Sequence, residues 1–462
     1  MKRLFTSNTE SQSYRVFICR SIILCFSVSL CLDSVHAQTD WTMQQCMQYA
    51  VEHNHNVKRA ELELDNYKAS KTGAIGRFLP SLDASIGAQY NFGRAIDPET
   101  NGYTDVSTFY NGYSLSASLP VFDGFSRVHA LKAAKASVLM GQSALRQQQD
   151  QTALNVLQTY TEAMFHQGLV KMAEEKLQET TLLLEQTRLF EEVGRKSAAD
   201  VAQVESQQAE ADYELTRQQN LYATAMLEMK KAMGYPLTDS LSLVFVPTEE
   251  TVGFHGGNPE FPRREHILNS ELSSELQQAR YQVQTSKHEW HQARASLLPA
   301  LSLSTGLSTT YYKTLGNDAA ESFRNQMKNN MGEYIGATLS IPLFNRLQTI
   351  TSIRRAKNNY QIAREAYEQK QLELDKLSRE AWQDWQGYLK QTVQMEKKVE
   401  ADSIAYQLTR RQFEEGLSTA IDLHTTSSQL LNSKATLLQC QLMAMVKEQL
   451  VRYYNGETIW TE

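Results

Sequence analysis

FLPSLDASIGAQYNF, residues 78–92, decides the reading of this chain. Leu82, Ala84, Ile86, Ala88, Tyr90 and Phe92 alternate there with Ser81, Asp83, Ser85, Gly87, Gln89 and Asn91. A period of two, with one apolar and one small polar face, predicts a strand set between an apolar phase and water. After a loop, YSLSASLPVF (113–122) alternates in the same way, with Tyr113, Leu115, Ala117, Leu119 and Val121 opposing Ser114, Ser116 and Ser118. LLPALSLSTGLSTTYY (297–312) and IGATLSIPLF (335–344) form a second such pair, with Leu301, Leu303, Leu307, Ile335, Ala337, Leu339 and Ile341 on the apolar side. A soluble sandwich would carry Lys, Glu and Arg on its polar face. Ser, Gly, Thr and Asn suit the inner wall of a membrane barrel instead, and strands of about ten residues suit a tilted bilayer crossing.

Residues 1–37 read as an export signal. Lys2, Arg3, Arg15 and Arg20 precede an apolar run at 21–32, and Val35-His36-Ala37 offers a cleavage site before Gln38. Twelve apolar residues are too few to span a bilayer, and neither Cys25 nor Cys31 follows the small residue of a lipoprotein signal. Only Cys46 and Cys440 remain afterwards; they are far apart, lack metal-ligand spacing, and leave a single bridge between them open. The net charge of −6 argues against a nucleic-acid partner. No later apolar run reaches 18 residues, so any crossing must use strands.

The chain reads as an internal duplication, with a first repeat over 38–247 and a second over 248–462. Pro80 and Pro299 differ by 219 positions; Pro120 and Pro342, Gly194 and Gly416, Asp200 and Asp422, and Gly234 and Gly456 each differ by 222. Each half reads helix, strand pair (78–122 or 297–344), long helix, tip turn near 194 or 416, and helix. The irregular stretch Tyr235 to Arg264, with four prolines, separates them. Between Phe125 and Phe190 there is no proline, and the same holds from Arg346 to Phe413. A helix of about 67 residues would reach ~100 Å. Two shorter helices, Trp41 to Arg77 and Lys196 to Met233, would lie antiparallel beside the first. An ordinary coiled coil fits this periodicity, but not the strands set within it.

Four strands are too few to close a barrel, and a bilayer does not tolerate open edges. Several copies must pool their strands; three would give twelve. Here the chain resembles the TolC family of outer membrane efflux proteins. The resemblance rests on WTMQQCMQYAVEHNHNVKRAE (41–61), the FLPSL and LLPAL lead-ins, the SLPVFDGF and SIPLFNR exits and FEEGLSTAIDL (413–423), in that order. It implies an α+β membrane protein: an antiparallel α-helical barrel in the periplasm continuing into a transmembrane β-barrel, four strands per chain and twelve per homotrimer. It further implies an outer membrane exit duct without catalytic residues, cofactor or metal. Its partners would be outer membrane lipid, a periplasmic adaptor and an inner-membrane transporter of RND or ABC type. The duct would serve tripartite efflux or, alternatively, type I protein secretion. A barrel-anchored structural or adhesive coiled coil is the reading from a different class.

Gly194-Arg195-Lys196-Ser197 and Gly416-Leu417-Ser418-Thr419 each turn one helix into the next. Gly accepts a left-handed terminus and Ser or Thr caps the following helix, so both turns serve as tight hairpins. By resemblance they also dock the adaptor, and Arg195, Lys196 and Leu417 have no other evident reason to be there. The family likeness places Asp422 in a carboxylate ring that narrows the periplasmic mouth, with Thr425 where a second carboxylate would sit. Asp at the first turn of a helix is also explained by the helix dipole, which covers Asp200. The pairs His53/His55 and His288/His291 read as solvated polar residues, and no phosphate-loop, nucleophile-elbow or HExxH motif occurs. The loops 93–112 and 315–332 are polar and are expected to face the exterior.

Overall fold

The computed structural model describes residues 40–96, 101–105, 107–244, 273–315 and 321–460. The expected signal at 1–37, with Cys19, Cys25 and Cys31, and most of the separating stretch lie outside these residues. The elements run α1 (Met43–His53), α2 (His55–Gly76), β1 (Ser81–Asn91), β2 (Arg94–Ile96), β3 (Tyr103–Asp105), β4 (Thr108–Phe122), α3 (Ser126–Glu192) and α4 (Ala198–Met233). They continue with α5 (Ser274–Ala295), β5 (Ala300–Thr314), α6 (Phe323–Asn329), β6 (Gly332–Ser340), α7 (Gln348–Glu414) and α8 (Ala420–Tyr454). Among the described residues no helix is long and apolar enough to cross a membrane.

Both long helices, α3 and α7, have 67 residues. Helix α3 packs along α4 on one stretch and along α1, α2 and α5 on others, while α7 packs along α8 and α5. Short helices therefore do line a long one. The helix expected over 41–77 is, however, broken at Asn54. Its side chain caps Asn56 and its Nδ2 donates to the carbonyl of Ala232 at 2.8 Å, so tertiary contact fixes the break. Glycine inside α3 serves close approach: a Cβ on Gly168 would meet Leu438 Cδ2 of α8 at 2.3 Å.

The main sheet is antiparallel in the order β1-β4-β5-β6. Its register brings the alternating faces into line: Ala84, Leu115, Leu307 and, at the start of β6, Glu333 lie in one row, and Leu82, Ala117, Thr305 and Ile335 in the next. Ser81, Ser118, Ser304 and Gly336 align on the other face. Several expected limits move. Pairing begins after Pro80 and Pro299 and ends before Pro342, because proline donates no ladder hydrogen bond. Pro120 sits at a register shift in β4. Residues 108–112, expected as loop, extend β4 between β1 and β5. That loop also carries the β2–β3 hairpin, so the described residues hold two strands besides the four of the main sheet. In the second loop α6 lies against β5, where Gln326 accepts from Tyr312 N–H and donates to its carbonyl, both at 2.9 Å.

The largest core is helical. Cys46, Met47, Val156, Leu157, Tyr160, Met229 and Met233, from α1, α3 and α4, are shielded almost completely. Leu438 and Leu442 of α8 and the tail residue Ile459 complete it. Tyr160 donates to the carbonyl of Val244 at 2.8 Å. Cys46 and Cys440 are both free thiols.

Candidate functional site

At the helical tips, sequence and geometry agree closely. Gly194 and Gly416 take φ of +73° and +81°. Arg195 N–H donates to the carbonyl of Phe190 and Gly194 N–H to that of Glu191, both at 2.8 Å. Leu417 and Gly416 repeat this with Gln412 and Phe413, at 2.7 and 3.0 Å. Each helix end thus satisfies its own last carbonyls in a left-handed glycine motif. Ser197 and Thr419 then cap α4 and α8 in full capping boxes, with Asp200 and Asp422 returning the bond.

Arg195 and Lys196 do have intramolecular roles, contrary to the sequence reading. The Arg195 guanidinium lies 4.9 Å from the centre of the Phe190 ring, and Lys196 Nζ lies 3.8 Å from that of Phe413. The second contact ties one tip to the other. A small core of Leu183, Leu184, Val204, Phe413, Ala420 and Leu423 lies just behind it, joining the two hairpins. Leu417 alone projects without such a reason, 75% exposed.

Asp422 uses one carboxylate oxygen for the helix start. Oδ2 accepts from Thr419 Oγ1 (2.6 Å), Thr419 N–H (3.1 Å) and Ser418 Oγ (3.3 Å). Those bonds, led by the Thr419 hydroxyl, hold its pKa below the usual carboxylate range. Asp200 is held down in the same way, first by the Ser197 backbone N–H. The dipole-and-cap explanation therefore covers Asp422 as fully as Asp200. Thr425 Oγ1 donates to its own helix at Ile421 O, 2.9 Å.

Two polar ties were not legible in the sequence. Asp402 of α7 accepts from Lys398 Nζ (2.6 Å), from Gln429 Nε2 (2.9 Å) and from Ser433 Oγ of α8. Lys176 of α3 reaches Ser427 of α8. The histidines also differ from expectation. His288 and His291 of α5 are half-buried against His129 of α3, with ring centres 5.8 and 5.1 Å from it. Burial first, then neighbouring cations and imidazoles, lowers the pKa of all three. His53 stacks on Tyr49 at 4.0 Å. Among the described residues no group of three His, Cys, Asp or Glu is placed to hold a metal ion.

The sheet is the other site. Ile86 and Ile335 are 75% and 86% exposed, and Leu82, Leu115, Leu303, Leu307 and Leu339 share their face and their exposure. Such an area has no place in water. At the loop end the same face gathers Tyr90 and Phe109, 4.8 Å apart, and Tyr311. Aromatic rings at that height mark a membrane–water boundary. A lipid-facing sheet continuing into a helical shaft with capped tips defines a strand-anchored membrane protein with a long extramembrane stem.

The outer membrane efflux protein family matches residues 46–235 and 270–452, and the chain belongs to it. It is 24% identical over 422 residues to outer membrane protein TolC of Salmonella enteritidis, covering 87% of this chain and 80% of that one. It is 22% identical over 391 residues to the alkaline protease secretion protein AprF of Pseudomonas aeruginosa, covering 83% and 78%. A crystal structure of CusC superposes with a TM-score of 0.76 at 16% identity, covering 92% of this chain and 96% of CusC. The family is one of transport channels of the outer membrane, and that membrane is where this protein resides.

Proposed function

We infer that three copies of this chain close a twelve-stranded barrel in the outer membrane and a helical tunnel below it, forming an exit duct. The observation that carries this reading is the four-stranded sheet itself: β1 and β6 end it with unpaired backbone, and its apolar face is bare. Lipid cannot satisfy those edges. Pairing β6 of one copy with β1 of the next removes them, and three copies place the Ser- and Gly-rich face on a wet lumen. The two successive passes of helix, strand, strand, long helix and helix support a duplication, 38–247 and 248–462, that doubles the staves each copy supplies.

The tips are the docking ends for a periplasmic adaptor, with Gly194, Arg195, Lys196, Ser197, Gly416, Leu417 and Ser418 forming the surface. Leu417 supports this best, since its exposure serves nothing within the chain. Arg195 and Lys196 carry an intramolecular contact each, so Leu417→Asp is the cleaner variant: folding and insertion stay intact while export stops. An inner-membrane transporter of RND or ABC type completes the path. The family's description supports efflux and the name of AprF supports protease secretion as the service rendered.

Asp422 is the gate carboxylate. Its Oδ2 is committed to the cap, while Oδ1 makes no hydrogen bond among the described residues. Three such groups near one axis repel, favour cations and can bridge a multivalent ion. In a planar bilayer the mature protein is expected to give a small, cation-selective current that multivalent cations lower. Asp422→Ala should weaken the block and the selectivity, and a second carboxylate one turn on, Thr425→Asp, should tighten the block. A silent protein contradicts the duct; an unchanged current in Asp422→Ala removes Asp422 from the gate.

A further inference from the structure

The shaft carries an uneven distribution of charge that the duct does not require. The sixteen residues adjoining the helical end of each main strand (65–80, 123–138, 284–299 and 341–356) hold eleven Lys and Arg against three Asp and Glu. The whole chain holds 46 against 52, so this collar opposes the sign of the rest. Two of the three acids are already spent on near neighbours, Asp65 on Lys68 within α2 at 2.8 Å and Asp123, just before α3, on Arg127 at 3.0 Å. The other nine cations form no ion pair among the described residues. Further down, cations are matched: Lys370 with Glu275 and Glu373, Lys398 with Asp402, Arg410 with Glu414. Of the eighteen ion pairs among the described residues, sixteen lie outside the collar.

A second tier lies between these cations and the strands. Leu79, Phe122, Phe125, Leu298, Leu343 and Phe344 stand at the strand–helix junctions, from 36% to 93% exposed. Apolar and aromatic side chains thus come first along the axis and cations follow within the next few helical turns. At 1.5 Å per residue the collar extends no more than about 24 Å from the strand ends. Acyl chains followed by phosphates present the complementary order. The approach to α7 and its first turns show it most plainly, with Phe344, then Arg346, Arg354, Arg355 and, one residue past the collar, Lys357, all exposed, and no acidic residue between them. His129, His288 and His291 lie in the same collar; burial and Lys132, Lys287 and Arg294 keep them uncharged near neutrality, so they are not counted.

We propose that this collar is a binding surface for anionic phospholipid headgroups of the leaflet facing the periplasm, holding the barrel at a fixed depth. The inference rests on the outer membrane location and not on conduction. It is tested on the purified full chain, loaded with equimolar phosphatidylglycerol and phosphatidylcholine in 0.1 M NaCl and then recovered. Mass spectrometry of the retained lipid should show phosphatidylglycerol in excess by about three-fold or more, falling toward parity at 0.5 M NaCl, where the Debye length has shortened to roughly 4 Å.

The variant Arg346→Gln/Arg354→Gln/Arg355→Gln/Lys357→Gln should lose most of the excess while keeping wild-type particle size and current. Removing four exposed cations lower on the same helix, Lys376→Gln/Lys390→Gln/Lys397→Gln/Arg411→Gln, should leave the excess unchanged. Equal retention of the two lipids by the wild-type protein overturns the proposal, as does an excess that survives loss of the collar cations or falls equally in both variants. If the fourfold variant does not fold, Arg354→Gln alone must still lower the excess measurably. Loss of current with lipid preference intact would count against the duct and not against the collar.

Discussion

The core around Tyr160 and the sheet around Ile86 are built from similarly apolar residues and end in opposite states. Helices α1, α3, α4 and α8 of one chain close over Tyr160, Met229 and Met233 completely. The sheet leaves Ile86, Ile335 and Leu82 bare on one face and offers mostly Ser, Gly and other polar residues, Asp83 and Gln89 among them, on the other. A helix satisfies its own backbone and needs only a neighbour for its apolar stripe. A strand needs partners on both edges and a solvent suited to each face. The stem is thus complete within a chain in its middle, whereas the sheet takes its solvent and its edge partners from outside.

That contrast is open to direct attack. Met229→Ala should cost about 2–5 kcal/mol through the cavity it leaves, read as a lowered melting temperature of the stem, whether or not lipid is present. Ile86→Arg should cost roughly 2–4 kcal/mol, and only in a bilayer, read as reduced insertion. Ser85→Arg on the opposite face should insert normally and change ion selectivity. If the two substitutions behave alike, the assignment of faces fails. At the tips, Ser197→Ala should remove about 1 kcal/mol from the start of α4, read as faster local proteolysis near 194.

The smallest effect concerns acid. Asp200 and Asp422 have folded pKa values below the ordinary one, so their caps contribute fully above about pH 4 and weaken as pH falls through the lowered values. Hydrogen exchange at the tips should rise below pH 4 relative to the core around Tyr160, which has no carboxylate of this kind. Equal protection down to pH 2 would show that the caps do not hold the tips.

Strand alternation made the sheet legible, because period two survives any context. Proline-free runs made both 67-residue helices legible. The tip turns carried their own chemistry, Gly then Ser or Thr, in consecutive residues. What escaped depends on distant partners. Asn54 breaks a helix by reaching Ala232, and neither Pro nor Gly marks the spot. Asn111-Gly112 looks like a turn, yet β1 and β5 recruit it into β4. His129 meets His288 and His291 across more than 150 residues, and Lys196 finds Phe413 across more than 200. Asp422 was read for its role at an axis, although Thr419, three residues before it, already engages one of its oxygens.

The central claim, that this chain completes its sheet only with copies of itself, is tested most directly by the mass of the detergent-extracted particle. Light scattering corrected for bound detergent should give three chains per particle. Placing Pro in the middle of edge strand β6, at Gly336, should abolish that particle without unfolding the helices. A wild-type particle containing one or two chains, or a trimer that survives Gly336→Pro, would contradict the account.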